Sequence, residues 1–167
     1  FKHRKENKND IQCIAKAMEL GFINNNDITI NRDWIEKWKV FVPRANNIGT
    51  ELNDDNQNAF IGKPNQVCTE SYMVIGADLN LDEYKCNNLV TYLKTKFARF
   101  CHGVAKSSQD ATAKTYCYVP LPDLSKVWTD RELYAEYNLT QDEIDFIESM
   151  IKPMDMSPEA DAEAENA

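Results

Sequence analysis

A chain of 167 residues that is 43% hydrophobic and 28% charged has the apolar content of one globular domain with a core, which excludes a wholly disordered tract. The net charge of −8 argues against nucleic acid only until it is located along the chain: residues 1–120 hold 16 Lys and Arg against 14 Asp and Glu, residues 121–167 hold 3 against 13. The first three quarters are therefore weakly basic and the acid is gathered in the last quarter.

In chain order, Phe1 opens onto Lys2-His3-Arg4-Lys5-Glu6-Asn7-Lys8, so residues 1–10 read as a solvated basic arm and the chain as a piece of a longer protein. Ile11, Ile14, Ala15, Met18 and Phe22 recur at helical spacing and Gly21 fits a helix C-terminus, which predicts a first helix. Asn24 to Asp27 reads as a turn. Ile28 and Ile30 suggest a short strand, and Trp34 to Val42 leads into a second, more buried one that Pro43 ends. Residues 44–66 are polar and Asn-rich, which predicts a long loop.

A strand is expected at Tyr72–Gly76. A long central helix follows from Asn80 to about His102, with Asn80 and Glu83 as its capping box. Thr115 to Val119 reads as a strand stopped by Pro120. Two short C-terminal helices open at Thr129/Glu132 and Thr140/Glu143, giving a helical unit at 129–152. Residues 157–167 are expected to be a disordered acidic tail. The fold class is α+β, with mixed or antiparallel strands around the central helix and one main unit at 11–156.

No run approaches the ~18 apolar residues of a membrane helix, and no apolar leader is present. Five scattered cysteines without a C-x-x-C pair read as small core residues in a reducing cytoplasm.

Catalytic motifs are missing from the sequence: there is no Gly-rich phosphate loop, G-x-S-x-G or H-E-x-x-H. His3 and His102 read as solvated residues, and Cys101 and His102, adjacent on a helix, point about 100° apart. Glu83-Tyr84-Lys85 has the letters of a nuclease strand, but in a helical turn about 200° separates its two charges. No metal or cofactor site is expected in the chain itself.

On the central helix, Cys86, Leu89, Val90, Leu93, Phe97 and Phe100 form the expected core stripe. Beside it Lys85, Asn88, Tyr92, Lys96 and Arg99 recur at spacings of three and four, and Lys106 extends the row. Lys and Arg neutralise phosphates, and Asn and Tyr can donate to phosphate or base edges. The stripe is therefore a candidate DNA-binding face, with Arg44, Lys63 and Lys114 in loops that could join it. Gln57, Asn58 and Gln109 have the amide chemistry that reads adenine. An ordinary solvated helix face would carry the same pattern. Trp34 and Trp38 read as core or interface anchors.

Several separated blocks occur in order: Trp38-Lys39-Val40-Phe41-Val42-Pro43, Cys68-Thr69-Glu70-Ser71-Tyr72, Tyr92 through Phe100, Tyr116-Cys117-Tyr118-Val119-Pro120, and Trp128 through Tyr134, leading into Leu139-Thr140 and Glu143-Ile144. Over about two thirds of its length the chain resembles the C-terminal region of bacterial restriction–modification proteins that carry an adenine-specific DNA methyltransferase domain. The resemblance implies a target-recognition domain that binds double-stranded DNA. It also implies an upstream methyltransferase domain of the same polypeptide, which would hold S-adenosylmethionine and an Asn-Pro-Pro-Tyr-type motif absent from this chain. The competing expectation is a protein-interaction module, whose acidic C-terminal helices and exposed tryptophans dock onto another subunit.

Overall fold

A computed structural model describes residues 1–45, 58–107 and 110–154. The strands are β1 (Asp10–Ile14), β2 (Leu20–Asn24), β3 (Lys39–Pro43), β4 (Phe60–Gly62), β5 (Gln66–Cys68) and β6 (Tyr72–Ile75). The helices are α1 (Glu83–Leu93), α2 (Lys96–Ala105), α3 (Asp130–Glu136) and α4 (Gln141–Met150), with short 3-10 turns between elements. The class is α+β. Two three-stranded sheets, ordered β2-β1-β5 and β4-β3-β6, lie one over the other, and the helices cover the far side of the second.

Strand β3 shows why this layering holds. Its side chains alternate between faces, and both faces are covered. Val40 and Val42 join Ile61, Met73 and Ile75 against Leu89, Val90 and Leu93 of α1 in the main core. Phe41 faces the other way, where Ile14, Phe60, Met18, Cys68, Tyr72 and Val74 fill the space between the sheets. Phe41 meets Phe60 edge-on at 5.5 Å, and Phe60 meets Tyr72 at 5.3 Å. A strand buried on both sides reads as a continuous apolar run, which Val-Phe-Val is.

Lys39 occupies the same face as Phe41 yet is buried. Its ammonium donates to the carbonyls of Trp34, Ile35, Lys37 and Lys63 at 3.0–3.2 Å, a protein cage in place of water. Burial pushes its pKa down to about 8, so the cage holds a cation at neutral pH.

Several local expectations are corrected here. Ile11 to Phe22 is a β-hairpin, not a helix: Asp10 pairs with Asn24 and Ile14 with Leu20. The first ten residues are solvated as expected over 3–9, but they are tied to the hairpin and do not form a separate arm. Lys2 and Phe22 exchange backbone hydrogen bonds at 2.7 Å, and the buried Asp10 carboxylate accepts from the backbone of Glu6 and Asn7 and from the Lys2 ammonium. Burial works to raise the Asp10 pKa, and those donors outweigh it and hold it below the ordinary value. Finally, the stretch 44–66 contains β4, and Thr115–Val119 is not a strand but overlaps a 3-10 turn at Ala113–Tyr116. Ile28 and Ile30 lie outside any strand.

The central helix is broken in two. Helix α1 begins not at Asn80, which adopts a positive φ, but after Asp82, whose carboxylate accepts from Lys85 N. It ends at Lys94. Thr95 then leaves helical geometry (φ −63°, ψ 152°) and caps α2 by accepting from Ala98 N. Both capping boxes of the C-terminal helices are formed as read, at Thr129/Glu132 and Thr140/Glu143. Gln57 and Gln109, most of the Asn-rich loop (46–57) and the acidic tail (157–167) lie outside the described residues. Among the described residues no helix is long and apolar enough to cross a membrane.

Candidate nucleic-acid interface

The predicted stripe of α1 and α2 is a joint inside the protein rather than a face. Asn88, Tyr92, Arg99 and Lys106 are buried. Asn88 Nδ2 donates to the carbonyl of Leu124 at 2.9 Å and Tyr92 Oη to that of Pro120 at 2.5 Å, which pins residues 120–124 along α1. Burial raises the Tyr92 phenol and keeps it a donor. Arg99 Nε donates to the carbonyls of Lys94 and Thr95 at 3.0 and 3.3 Å, and Nη2 to that of Lys152 at 2.7 Å.

The guanidinium thus ties the Lys94 carbonyl at the C-cap of α1 to the chain beyond α4, and shares the Thr95 carbonyl with its own backbone N–H. Across the same joint the Asp130 carboxylate accepts from the backbone N–H groups of Lys96 and Phe97, capping α2 from the first turn of α3. Lys96 pairs with Glu148, which also accepts from Tyr134 Oη at 2.8 Å. The Lys96 hydrogen bond holds the Glu148 carboxyl below its ordinary range. The physical reason for the correction is that residues 120–124 and the chain beyond α4 pack over this side of the helices, so Asn88, Tyr92 and Arg99 meet carbonyls where a helical wheel shows only polarity.

The other four residues are scattered. Lys85 is half-buried near Asp123. Lys63 is exposed at the β4–β5 turn, beside the Lys39 end of β3. Arg44 is exposed at the opposite end of that strand, and Lys114 is exposed on the 3-10 turn. Trp34 and Trp38 are half-buried and Trp128 is buried, its Nε1 donating to Asp123 O. The tryptophans therefore do not form an exposed docking set.

The Arg44 end of β3 is where polar chemistry gathers. A cleft of about 420 Å³ there is lined by Lys16, Ala17, Arg44, Asn58, Glu70 and Asp110, with Pro43, Ala45, Ser71 and Tyr72. Its frame is backbone. Arg44 N donates to Ser71 O at 3.0 Å, Ala111 N to Arg44 O at 2.6 Å, and Ala45 bridges Asp110. The hairpin turn is fixed over it by Met18 N, which donates to Tyr72 Oη at 3.1 Å. The side chains of Lys16, Arg44, Glu70 and Asp110 reach solvent from this fixed ring.

Two consecutive non-glycine residues of that turn, Ala17 (φ 57°) and Met18 (φ 59°), are left-handed. Each such residue costs about 1–2 kcal/mol, and strain of this kind collects at functional sites. Ala17→Gly is expected to raise stability by about 0.5–1 kcal/mol, the relief exceeding the entropy that glycine adds to the unfolded chain. A shift of the urea midpoint upward at constant m would show it; no shift would mean that the turn is unstrained.

Of the residues singled out in the sequence, the cleft brings together only Arg44 and Asn58. Lys16, Glu70 and Asp110 were missed: Lys16 was assigned to a helix, and nothing local links Glu70 to Arg44 across the sheet. Among the described residues no group of three His, Cys, Asp or Glu side chains could hold a metal. The cysteines are free thiols, and burial pushes those of Cys68 and Cys86 up to about 12. No protein-family model, curated protein or solved structure matches this chain.

Proposed function

We propose that the chain is the DNA target-recognition unit of an adenine-specific modification methyltransferase or a fused restriction–modification enzyme, working in the cytoplasm. It would present duplex DNA to an upstream catalytic domain that binds S-adenosylmethionine and flips the adenine. The ordered blocks of resemblance motivate the reading, and the cleft at the Arg44 end of β3 is the observation that carries it. Arg and Lys are the side chains that read guanine, Asn reads adenine, and a carboxylate accepts from cytosine N4. A mixed set of Lys16, Arg44, Asn58, Glu70 and Asp110 suits base edges better than a purely basic patch would. Lys114, exposed on the 3-10 turn that follows Asp110 in the chain, would supply a phosphate contact.

The reading is tested by fluorescence anisotropy with mixed-sequence duplex DNA at low and moderate salt. The expected result is binding whose logarithm falls linearly with log salt, weakened at least ~10-fold by Lys16→Glu/Arg44→Glu, a reversal of two charges facing DNA. These are exposed positions, so thermal melting should be unchanged. Absence of binding at low salt, or binding indifferent to the double substitution, would overturn it.

A further inference from the structure

The acidic end of the protein carries a second surface of different chemistry. Helix α4 is amphipathic and buries Ile147, but it leaves Phe146 54% and Met150 37% exposed. Phe146 stands edge-on to the half-buried Phe100 of α2, with centroids 5.8 Å apart. Together with Leu139 and Ile147 these rings line a groove of about 350 Å³ whose rim carries Asp142 and Glu143. That volume admits one or two large apolar side chains. The rim charge is one-sided: Gln141–Met150 contains Asp142, Glu143, Asp145 and Glu148 and no Lys or Arg. Glu143 and Glu148 are engaged by Thr140 and by Lys96 with Tyr134; Asp142 and Asp145 are exposed, and Asp145 accepts only from the neutral Gln141 amide, so both keep an outward charge that no cation in α4 offsets.

From this charge complementarity we infer that the α2–α4 groove is a docking site for a protein segment with one or two large apolar anchors flanked by Lys or Arg. An apolar contact supplies the affinity, and carboxylates at its edge select basic flanks and repel acidic ones. The protein's own residues 155–167, with five Asp and Glu and no Lys or Arg, have the wrong sign for this rim. Nucleic acid is repelled by it as well. The inference does not depend on the DNA reading: the groove and the Arg44 cleft are formed by different elements.

The probe is a labelled helix-forming peptide of about four turns with Leu and Phe at i, i+3, i+4 and i+7 and Lys on its other face, the spacing of helix-in-groove recognition. Anisotropy is measured with the whole chain. Saturable binding is expected, weakened at least ~10-fold by Phe146→Ser and several-fold by Asp142→Lys/Asp145→Lys. A peptide with the same anchors and Glu for Lys should not bind. Phe146 is more than half exposed and outside the core, so Phe146→Ser should lower the melting temperature only slightly, for the lost Phe100 ring contact, and keep any duplex affinity. Failure of the Lys peptide to bind, equal binding of the Glu peptide, or indifference to Phe146→Ser would each overturn the proposal.

Discussion

Arg99→Met is expected to lower folding stability by about 3–5 kcal/mol, among the largest single-residue effects in the chain. The side chain is 1% exposed, and its hydrogen bonds go to carbonyls of Lys94, Thr95 and Lys152. Met matches its length and offers no donor, so the Lys94 and Lys152 carbonyls lose this donor, at about 1–3 kcal/mol apiece before relaxation, while Thr95 O keeps the backbone N–H of Arg99. Arg99→Lys should fall between, because one ammonium cannot reproduce a planar fork that spans two helices and the chain beyond α4. Lys96→Met is the contrast: its pair with Glu148 is partly exposed (18% and 40%), worth about 1 kcal/mol or less. Urea unfolding of the three variants beside wild type checks the order. Equal midpoints for Arg99→Met and Lys96→Met would mean that the joint does not depend on the guanidinium. The same reasoning makes Arg99 unsuitable for testing DNA binding, since its loss would be read through unfolding.

Where the sequence was legible, the signal was local and chemical. Thr129/Glu132 and Thr140/Glu143 close reciprocal caps with residues three apart, so nothing distant had to be known. The core stripe from Cys86 to Phe97 survived the helix break because Thr95 resets the rotation without turning the apolar side away from the sheet. Illegible features were those decided by tertiary partners. Ile11, Ile14, Met18 and Phe22 fit a helical period, yet the chain reverses at Lys16-Ala17-Met18, where no Gly or Asn announces a turn. Asn88, Tyr92 and Arg99 look like a polar face because a sequence shows polarity but not the carbonyls of Leu124, Pro120 and Lys152 that absorb it. The cleft was illegible for the same reason: Lys16, Arg44, Glu70 and Asp110 meet only once β3 has paired with β6 and the β1–β2 hairpin is laid over that sheet. Polar residues at regular spacing on a helix beside a core stripe are as consistent with an internal joint as with a ligand surface.

His102, which its position near a helix end suggested was solvated, is 1% exposed and makes stability fall with acid. Its ring stacks on Tyr116 with centroids 4.0 Å apart, and Nε2 lies 2.9 Å from Thr115 Oγ1. That hydroxyl donates to Thr112 O at 2.8 Å, so Nε2 must be the donor to it and Nδ1 is the bare nitrogen. Nδ1 is buried and meets no hydrogen-bond partner among the described residues, so a proton added there would bring an unsatisfied N–H and a charge into the core. Burial first, and the nearby Lys106 ammonium second, push the imidazole pKa down to about 4. The unfolded chain, with a value near 6.5, therefore binds more protons than the folded one between those limits. Stability is complete above about pH 6.5 and falls as pH drops toward 4, by about 3 kcal/mol in all and about 2 kcal/mol by pH 5. The carboxylates held low in the fold, such as Glu148 and Glu132, lose their contribution only below their unfolded values near 4.5. The range from pH 7 to 5 therefore isolates the histidine. His102→Phe keeps the stack on Tyr116 and removes the titration, at about 1 kcal/mol for the lost Thr115 hydrogen bond. Urea midpoints should fall from pH 7 to 5 in the wild type and stay level in His102→Phe; a level wild type would show that the imidazole is not buried neutral between α2 and the Ala113–Tyr116 turn.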